Sequence, residues 1–183
     1  VYLMRITLKF EEYYSKKKKT YLKAILGGLL IGLLIFILPP LYGEGYKSIQ
    51  NLLNGNAEYI FNQSLFYSLK SETWAVIVLL ILLLVIKPIA AITTVGAGGN
   101  GGILAPSLFT GAFCGYLVYY LLSLAGMENL SAQHLVLLGM AGVLAGVVHA
   151  PLSGIFLIAE ISGGYALFVP LMLVVSLSYF IAR

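Results

Sequence analysis

The chain has 183 residues, of which 60% are hydrophobic and 10% charged, and its mean hydropathy is +0.96. So little charge over this length excludes a soluble domain and makes the protein an integral membrane protein. The net charge of +4 rests mainly on Lys16, Lys17, Lys18 and Lys19, and with no basic face continuing beyond that cluster no nucleic-acid partner is expected.

In chain order, Val1 to Tyr14 mixes apolar residues with Arg5, Lys9, Glu11 and Glu12, as where a helix leaves the bilayer. The lysine cluster reads as a cytoplasmic loop under the positive-inside rule. Without the basic, apolar, small-residue order of a signal peptide, and with an apolar helix running to Arg183, the chain reads as an internal piece of a longer protein. Tyr21 to Leu38 is the first convincing span: its roughly 18 residues cover about 27 Å of a core about 30 Å thick. Gly27, Gly28 and Gly32 fall on nearby faces, where small residues allow close helix contact. Pro39-Pro40 ends the helix.

Leu41 to Thr73 is polar enough to leave the membrane interior, and its turn formers Gly43, Gly45, Asn54, Gly55 and Asn56 bracket two short amphipathic helices, Tyr46 to Leu53 and Ala57 to Leu69. Trp74 stands at the mouth of the next span like a member of an aromatic belt. Trp74 to Val95 is long enough to cross fully, whereas Gln133 to Val148 and Leu152 to Ile161 fall short of a perpendicular span, which predicts half-crossing or tilted helices. Pro106 and Pro151 suit first helical turns, where an N–H would go unpaired anyway. Broken helices near mid-membrane mark transport proteins.

Between Trp74–Val95 and the apolar run Ile103 to Ala125 lies Gly96-Ala97-Gly98-Gly99-Asn100-Gly101-Gly102-Ile103-Leu104-Ala105-Pro106. Five glycines in seven residues at membrane depth imply a break in helical structure. Irregular backbone persists in hydrocarbon where it is buried in protein or lines a polar cavity, because each unpaired N–H or C=O otherwise costs several kcal/mol. Where the helix resumes, its first N–H groups are unpaired donors at the positive end of the helix dipole, and they form an anion site without a charged side chain. A tight interhelical turn is the bland alternative, and a phosphate loop fails because no Lys-Ser/Thr pair follows Gly102.

The remaining polar residues read as follows. Asn100 is placed to cap the resumed helix or bond neighbouring backbone. Glu160, an ionisable group in an apolar run, reads as structural, satisfying loop N–H groups near a helix end. His149, before Ala150-Pro151, reads as a polar junction residue, and His134 as an interfacial loop residue. Lys87 either snorkels or lines a cavity, and the sequence leaves both open. Cys114, within an apolar run, is a small packing residue. No Cys/His/Asp/Glu cluster has metal-ligand spacing, no cofactor is expected, and no nucleophile–base pair near Glu160 or His149 supports an enzyme.

Three separated motifs carry a family resemblance. GAGGNGGILAPSLFTGAF, then GMAGVLAGVVHAPLSGIFLIAEIS, with PPLYGEGY upstream over Pro39 to Tyr46, resemble the carboxy-terminal half of the membrane domain of the CLC family of chloride channels and proton-coupled chloride exchangers. The resemblance implies an all-α integral membrane fold of broken and tilted helices, one half of an inverted-repeat architecture, with residues 1–183 forming a partial membrane transport domain from the end of helix J through helix Q and no separate soluble domain. It makes Tyr21 to Leu38 helix K, Trp74 to Val95 helix M, Ile103 to Ala125 helix N, Gln133 to Val148 helix O, Leu152 to Ile161 helix P and Tyr165 to Arg183 helix Q.

By the same resemblance Gly102-Ile103-Leu104-Ala105-Pro106 matches the family's G-x-F-x-P motif, with Leu104 where phenylalanine is usual, and the backbone N–H groups of Ile103 and Leu104 face the central anion. Gly96, Gly98, Gly99, Asn100, Gly101, Ala105 and Pro106 support the motif. Leucine keeps the N–H and changes the packing around it. The family's serine motif and its gating and proton glutamates belong to a half that nothing in this sequence matches, its coordinating tyrosine lies on a helix beyond Arg183, and Tyr179 falls inside helix Q. The expected function is passage of chloride or a similar small anion, with or without protons, through a pore lined by helix N-termini without a fixed positive charge, in the plasma or cell inner membrane. The implied partners are the lipid bilayer and a second subunit. That homodimer would form through Leu152–Ile161 and Tyr165–Arg183, with Leu152, Ile155, Phe156, Ala159, Leu167, Leu171 and Val174 as contact candidates. A different broken-helix secondary transporter and a structural membrane protein are the competing readings.

Overall fold

The computed structural model describes residues 20–56, 59–62, 72–127 and 129–183. These form α1 (Thr20–Ile37), a 3-10 turn (Pro39–Leu41), α2 (Tyr46–Leu53), α3 (Tyr59–Asn62), α4 (Thr73–Gly96), α5 (Leu104–Leu124), α6 (Ala132–Val148), α7 (Pro151–Ile161) and α8 (Phe168–Ala182), with no strand among the described residues. The expectations for Val1 to Tyr14, for the lysine cluster, and for Ala57–Leu69 outside Tyr59–Asn62 lie beyond what is described. Most expected spans return within a residue at each end. The last helix differs, starting at Phe168 rather than Tyr165, because residues 162–167 form turns around Gly163, whose φ of +73° no helix tolerates.

Length sorts the helices. α4, at 24 residues, reaches about 36 Å, and α4 and α5 are the two described helices long and apolar enough to cross a membrane. Ala24–Ile37, α6, α7 and α8 are apolar but shorter. Pro39 and Pro40 stop α1, Pro151 opens α7 at its first turn, and Pro88 sits inside α4, which runs through it.

The core sits where α6 packs against α5, α7 and α8. Between apolar helices in lipid no hydrophobic difference drives association, so close backbone approach carries the packing. A Cβ added at Gly111 would stand 2.6 Å from the carbonyl oxygen of Gly139, and one at Gly139 would stand 2.9 Å from the Cα of Gly115, so α5 and α6 cross with their main chains in contact. Phe109 and Phe113 stack at 4.2 Å beside that crossing and are fully buried with Leu137, Met140 and Leu144. Across the other face of α6 the Ser178 hydroxyl donates to the carbonyl of Gly142 at 2.6 Å, which joins α8 to α6.

Two packing expectations need correction. Of the α1 glycines, Gly27 fits against Ala97 just past the end of α4, but Gly28 and Gly32 meet nothing within 4 Å, because a close approach selects one helical face and the three glycines are spread over more than one. Of the contact candidates on the last two helices, Ile155, Ala159 and Leu171 are buried within the chain, since they face α6. The candidates Leu152 and Phe156 of α7 do face outward, and the outward apolar face of α8 is made by Val169, Met172, Leu173, Leu177, Phe180 and Ile181.

Candidate functional site

The break between α4 and α5 is built from the end of one helix and the start of the next. α4 closes in a Schellman motif. The Gly99 N–H donates to the carbonyl of Thr94 at 2.9 Å and the Gly98 N–H to that of Val95 at 3.0 Å, with Ala97 as the C-cap residue. Gly98 holds φ +94°, a conformation side chains rarely adopt, and a Cβ at Gly99 would lie 2.8 Å from Thr94 Cγ2, so both positions require glycine. Gly96 is the last residue of α4, and a Cβ at Gly101 would come within 3.1 Å of Val95 Cγ2. Gly102 faces open space.

The chain resumes at Ile103, the N-cap, with φ −84° and ψ −23°, and Leu104 opens α5. The Ile103 carbonyl accepts from the Ser107 N–H at 3.1 Å and from its hydroxyl at 2.7 Å, while Pro106 has no N–H to satisfy. Among the described residues no backbone carbonyl or side chain accepts from the N–H groups of Asn100, Gly101, Gly102, Ile103, Leu104 or Ala105. These are the orphan donors of a helix start, extended upstream by three residues, and the N-cap side chain makes no capping bond. Residues 98 to 104 are exposed on this chain.

A cavity of about 350 Å³ opens beside the break. It is lined by Asn100, Gly101, Gly102, Ala105 and Pro106 of the break, by residues of α1 and of the second half of α4 including Lys87, and by Leu41, Gly43 and Glu44 of the connector between α1 and α2. A second hollow of about 40 Å³, lined largely by apolar residues such as Pro88, Ile92 and Val147, also touches Gly102 and Ile103. Ile103 therefore borders the small hollow, Gly102 borders both, and Leu104, 46% exposed, borders neither.

Lys87 does not snorkel. It is 4% exposed and donates to the carbonyls of Leu41 at 3.0 Å and Gly43 at 2.7 Å, with its ammonium 4.8 Å from the centre of the Phe109 ring. Of the two readings its sequence position allowed, cavity lining holds. A lysine consequently borders the cavity, where carbonyls of the turn after Pro39-Pro40 converge on its ammonium. Glu44, lining the same cavity, was not singled out in the sequence, although an acidic residue between two glycines after a proline pair was a usable signal.

Three further expectations change. Asn100 caps nothing among the described residues, since it stands three positions before the N-cap, out of reach of the geometry that joins a cap to its second or third N–H. Glu160 is exposed and its carboxylate holds no loop N–H. The Ser162, Gly163 and Gly164 amides go to the backbone carbonyls of Ile158, Glu160 and Ala159, and the Ser162 hydroxyl donates to the carbonyls of Ala159 and Gly164. His134 lies in the first turn of α6 rather than a loop, its N–H donating to the capping Ser131 hydroxyl. His149 does stand at the junction of α6 and α7, in the left-handed conformation with φ +57° and edge-on to Tyr179 at 6.1 Å. No group of three or more His, Cys, Asp or Glu among the described residues is placed to hold a metal ion.

A family model described as "Voltage gated chloride channel" matches residues 1–183. The chain is 28% identical over 173 residues to the voltage-gated ClC-type chloride channel ClcB of Escherichia coli O17:K52:H18 (strain UMN026 / ExPEC), covering 94% of this chain and 37% of that protein. Against ClcB of Escherichia coli (strain SMS-3-5 / SECEC) the identity is 28% over 159 residues, 86% of this chain and 34% of the relative. The chain thus spans little more than a third of the length of the curated relatives it matches.

Proposed function

Since the chain belongs to the voltage-gated chloride channel family, whose members are membrane-embedded channels or transporters, we propose that it forms one wall of a pore for chloride or a similar small anion. The anion would be met by the N–H groups of Ile103 and Leu104, approached past Gly102, with Gly96, Gly98, Gly99, Asn100, Gly101, Ala105 and Pro106 shaping the backbone that offers them. The observation that carries the reading is the run of N–H groups from Asn100 to Ala105 that find no acceptor among the described residues, at a helix start open to a cavity.

The physics is replacement of hydration. An anion leaving water recovers part of its lost solvation from aligned N–H dipoles, and because these carry partial charges it departs readily. Lys87, on the lining of the same cavity, adds attraction while two of its donors are directed at carbonyls. The rest of the pore wall comes from an inverted-repeat partner half, and residues 1–183 act as a partial transport domain with no chemistry of their own. The homodimer forms through α7 and α8, whose outward faces from Leu152 to Ile181 are apolar, in a plasma or cell inner membrane.

The deciding experiment reconstitutes the complete gene product in liposomes under imposed chloride and pH gradients. Chloride efflux above that of protein-free vesicles is expected. Its absence overturns the reading, and proton movement coupled to chloride distinguishes exchange from channel flow.

A further inference from the structure

Lys87 is expensive where it is. A buried ammonium in an apolar helix is costly unless its hydrogen-bonding needs are met, and among the described residues no carboxylate lies within ion-pair range of it, Glu44 on the same cavity acting from farther away. What meets those needs comes from two other parts of the chain. The carbonyls of Leu41 and Gly43 belong to the connector between α1 and α2, and the Phe109 ring belongs to α5, five residues after its first residue.

The connector is shaped for this. Gly43 holds φ +60° and Gly45 φ +85°, and a Cβ on Gly45 would run into the Phe109 ring, so the connector lies directly on the side chain that Lys87 covers. Phe109 is fully buried and stacked on Phe113. The connector thus packs against a side chain in the interior of α5. Leu41, Gly43 and Lys87 line the same cavity as Asn100, Gly101 and Gly102.

We propose that Lys87 is a positioning residue for the anion site, its ammonium tying the Leu41–Gly45 connector to α4 and α5 and so setting the distance between that connector and the N–H groups of the break. This rests on the anion-pore reading above and adds to it the part that holds the pore's dimensions. A tether differs from a charge that merely attracts anions. It acts through the connector's fit against Phe109, so disturbing that fit with Lys87 intact has the same consequence as removing the ammonium.

The test measures the ratio of chloride to nitrate flux in liposomes carrying the complete gene product, wild type, Lys87→Met and Gly45→Ala. Methionine keeps the apolar stem without donors or charge, and alanine pushes the connector off Phe109 with the charge in place. Fewer folded molecules lower both fluxes together and leave the ratio fixed, so the ratio reports on the site itself. Both variants are expected to shift it by about threefold or more. A wild-type ratio in Lys87→Met overturns the proposal, and so does a shift in Lys87→Met with a wild-type ratio in Gly45→Ala, which would assign the effect to charge. Should Lys87→Met not fold, Gly45→Ala decides by the same criterion. Failure of the anion-pore reading is distinguishable, since it would show as no flux from the wild type.

Discussion

A backbone N–H binds an anion with a partial charge that cannot be titrated, and it can be deleted without deleting a side chain. Proline at position 103 does this at little structural cost: the φ of −84° is close to proline's own value, and the preceding Gly102 accommodates the restriction proline places on its neighbour. Ile103→Pro is expected to lower chloride flux about tenfold or more while the protein remains folded, a loss of about 1.4 kcal/mol or more of anion stabilisation, checked by efflux alongside size-exclusion chromatography. Leu104→Phe restores the family's usual residue and keeps the N–H. Its chloride flux is expected to stay within about threefold of wild type, and a collapse would show that the side chain at 104, not its amide, carries the contribution.

At the scale of elements, the position of α5 depends on a crossing with no side chains in it. Alanine at Gly111 gains about 0.5–1 kcal/mol of helix propensity but places a Cβ 2.6 Å from the Gly139 carbonyl oxygen, and separating two main chains costs about 1–3 kcal/mol, so overpacking wins. A lower thermal midpoint in detergent is expected for Gly111→Ala, and an unchanged one would show that the helices do not cross so closely. The bond from Ser178 to Gly142 is the polar counterpart on the other face of α6. Ser178→Ala is expected to cost about 0.5–1.5 kcal/mol, with a correspondingly smaller fall in the midpoint than a broken crossing.

Over the whole molecule, the apolar surface is turned outward on several sides. α1 exposes Ile25, Leu29, Leu33 and Phe36, and α7 and α8 expose the faces that the proposed dimer would cover. Residues 98 to 104 of the break are likewise exposed on this chain, and in the proposed pore they would form one wall. Residues 1–183 reconstituted alone are therefore expected to release no more chloride from liposomes than protein-free vesicles do. Measurable anion-selective efflux from them would mean that a single half suffices for a pore.

Several features were legible in the residues because they are local. Apolar run lengths set the helices nearly to the residue, the Pro39-Pro40 pair and Pro151 set where two of them stop or start, and the clustered glycines set the break at 96–102, because glycine's lack of a Cβ acts on its own stretch of backbone. The family's motifs were legible for the same reason, being contiguous. What depends on residues far apart was not. Asn100 had the chemistry of a cap but stands out of register with the helix it precedes, and Glu160 had the chemistry of an acceptor but its loop found backbone carbonyls instead. Which face of α7 turns inward was fixed by α6, and whether Lys87 reaches water or a cavity was fixed by carbonyls 44 and 46 positions upstream. Periodicity and composition describe one segment at a time, whereas the stabilisation of a buried charge is decided by what other segments bring within hydrogen-bonding distance of it.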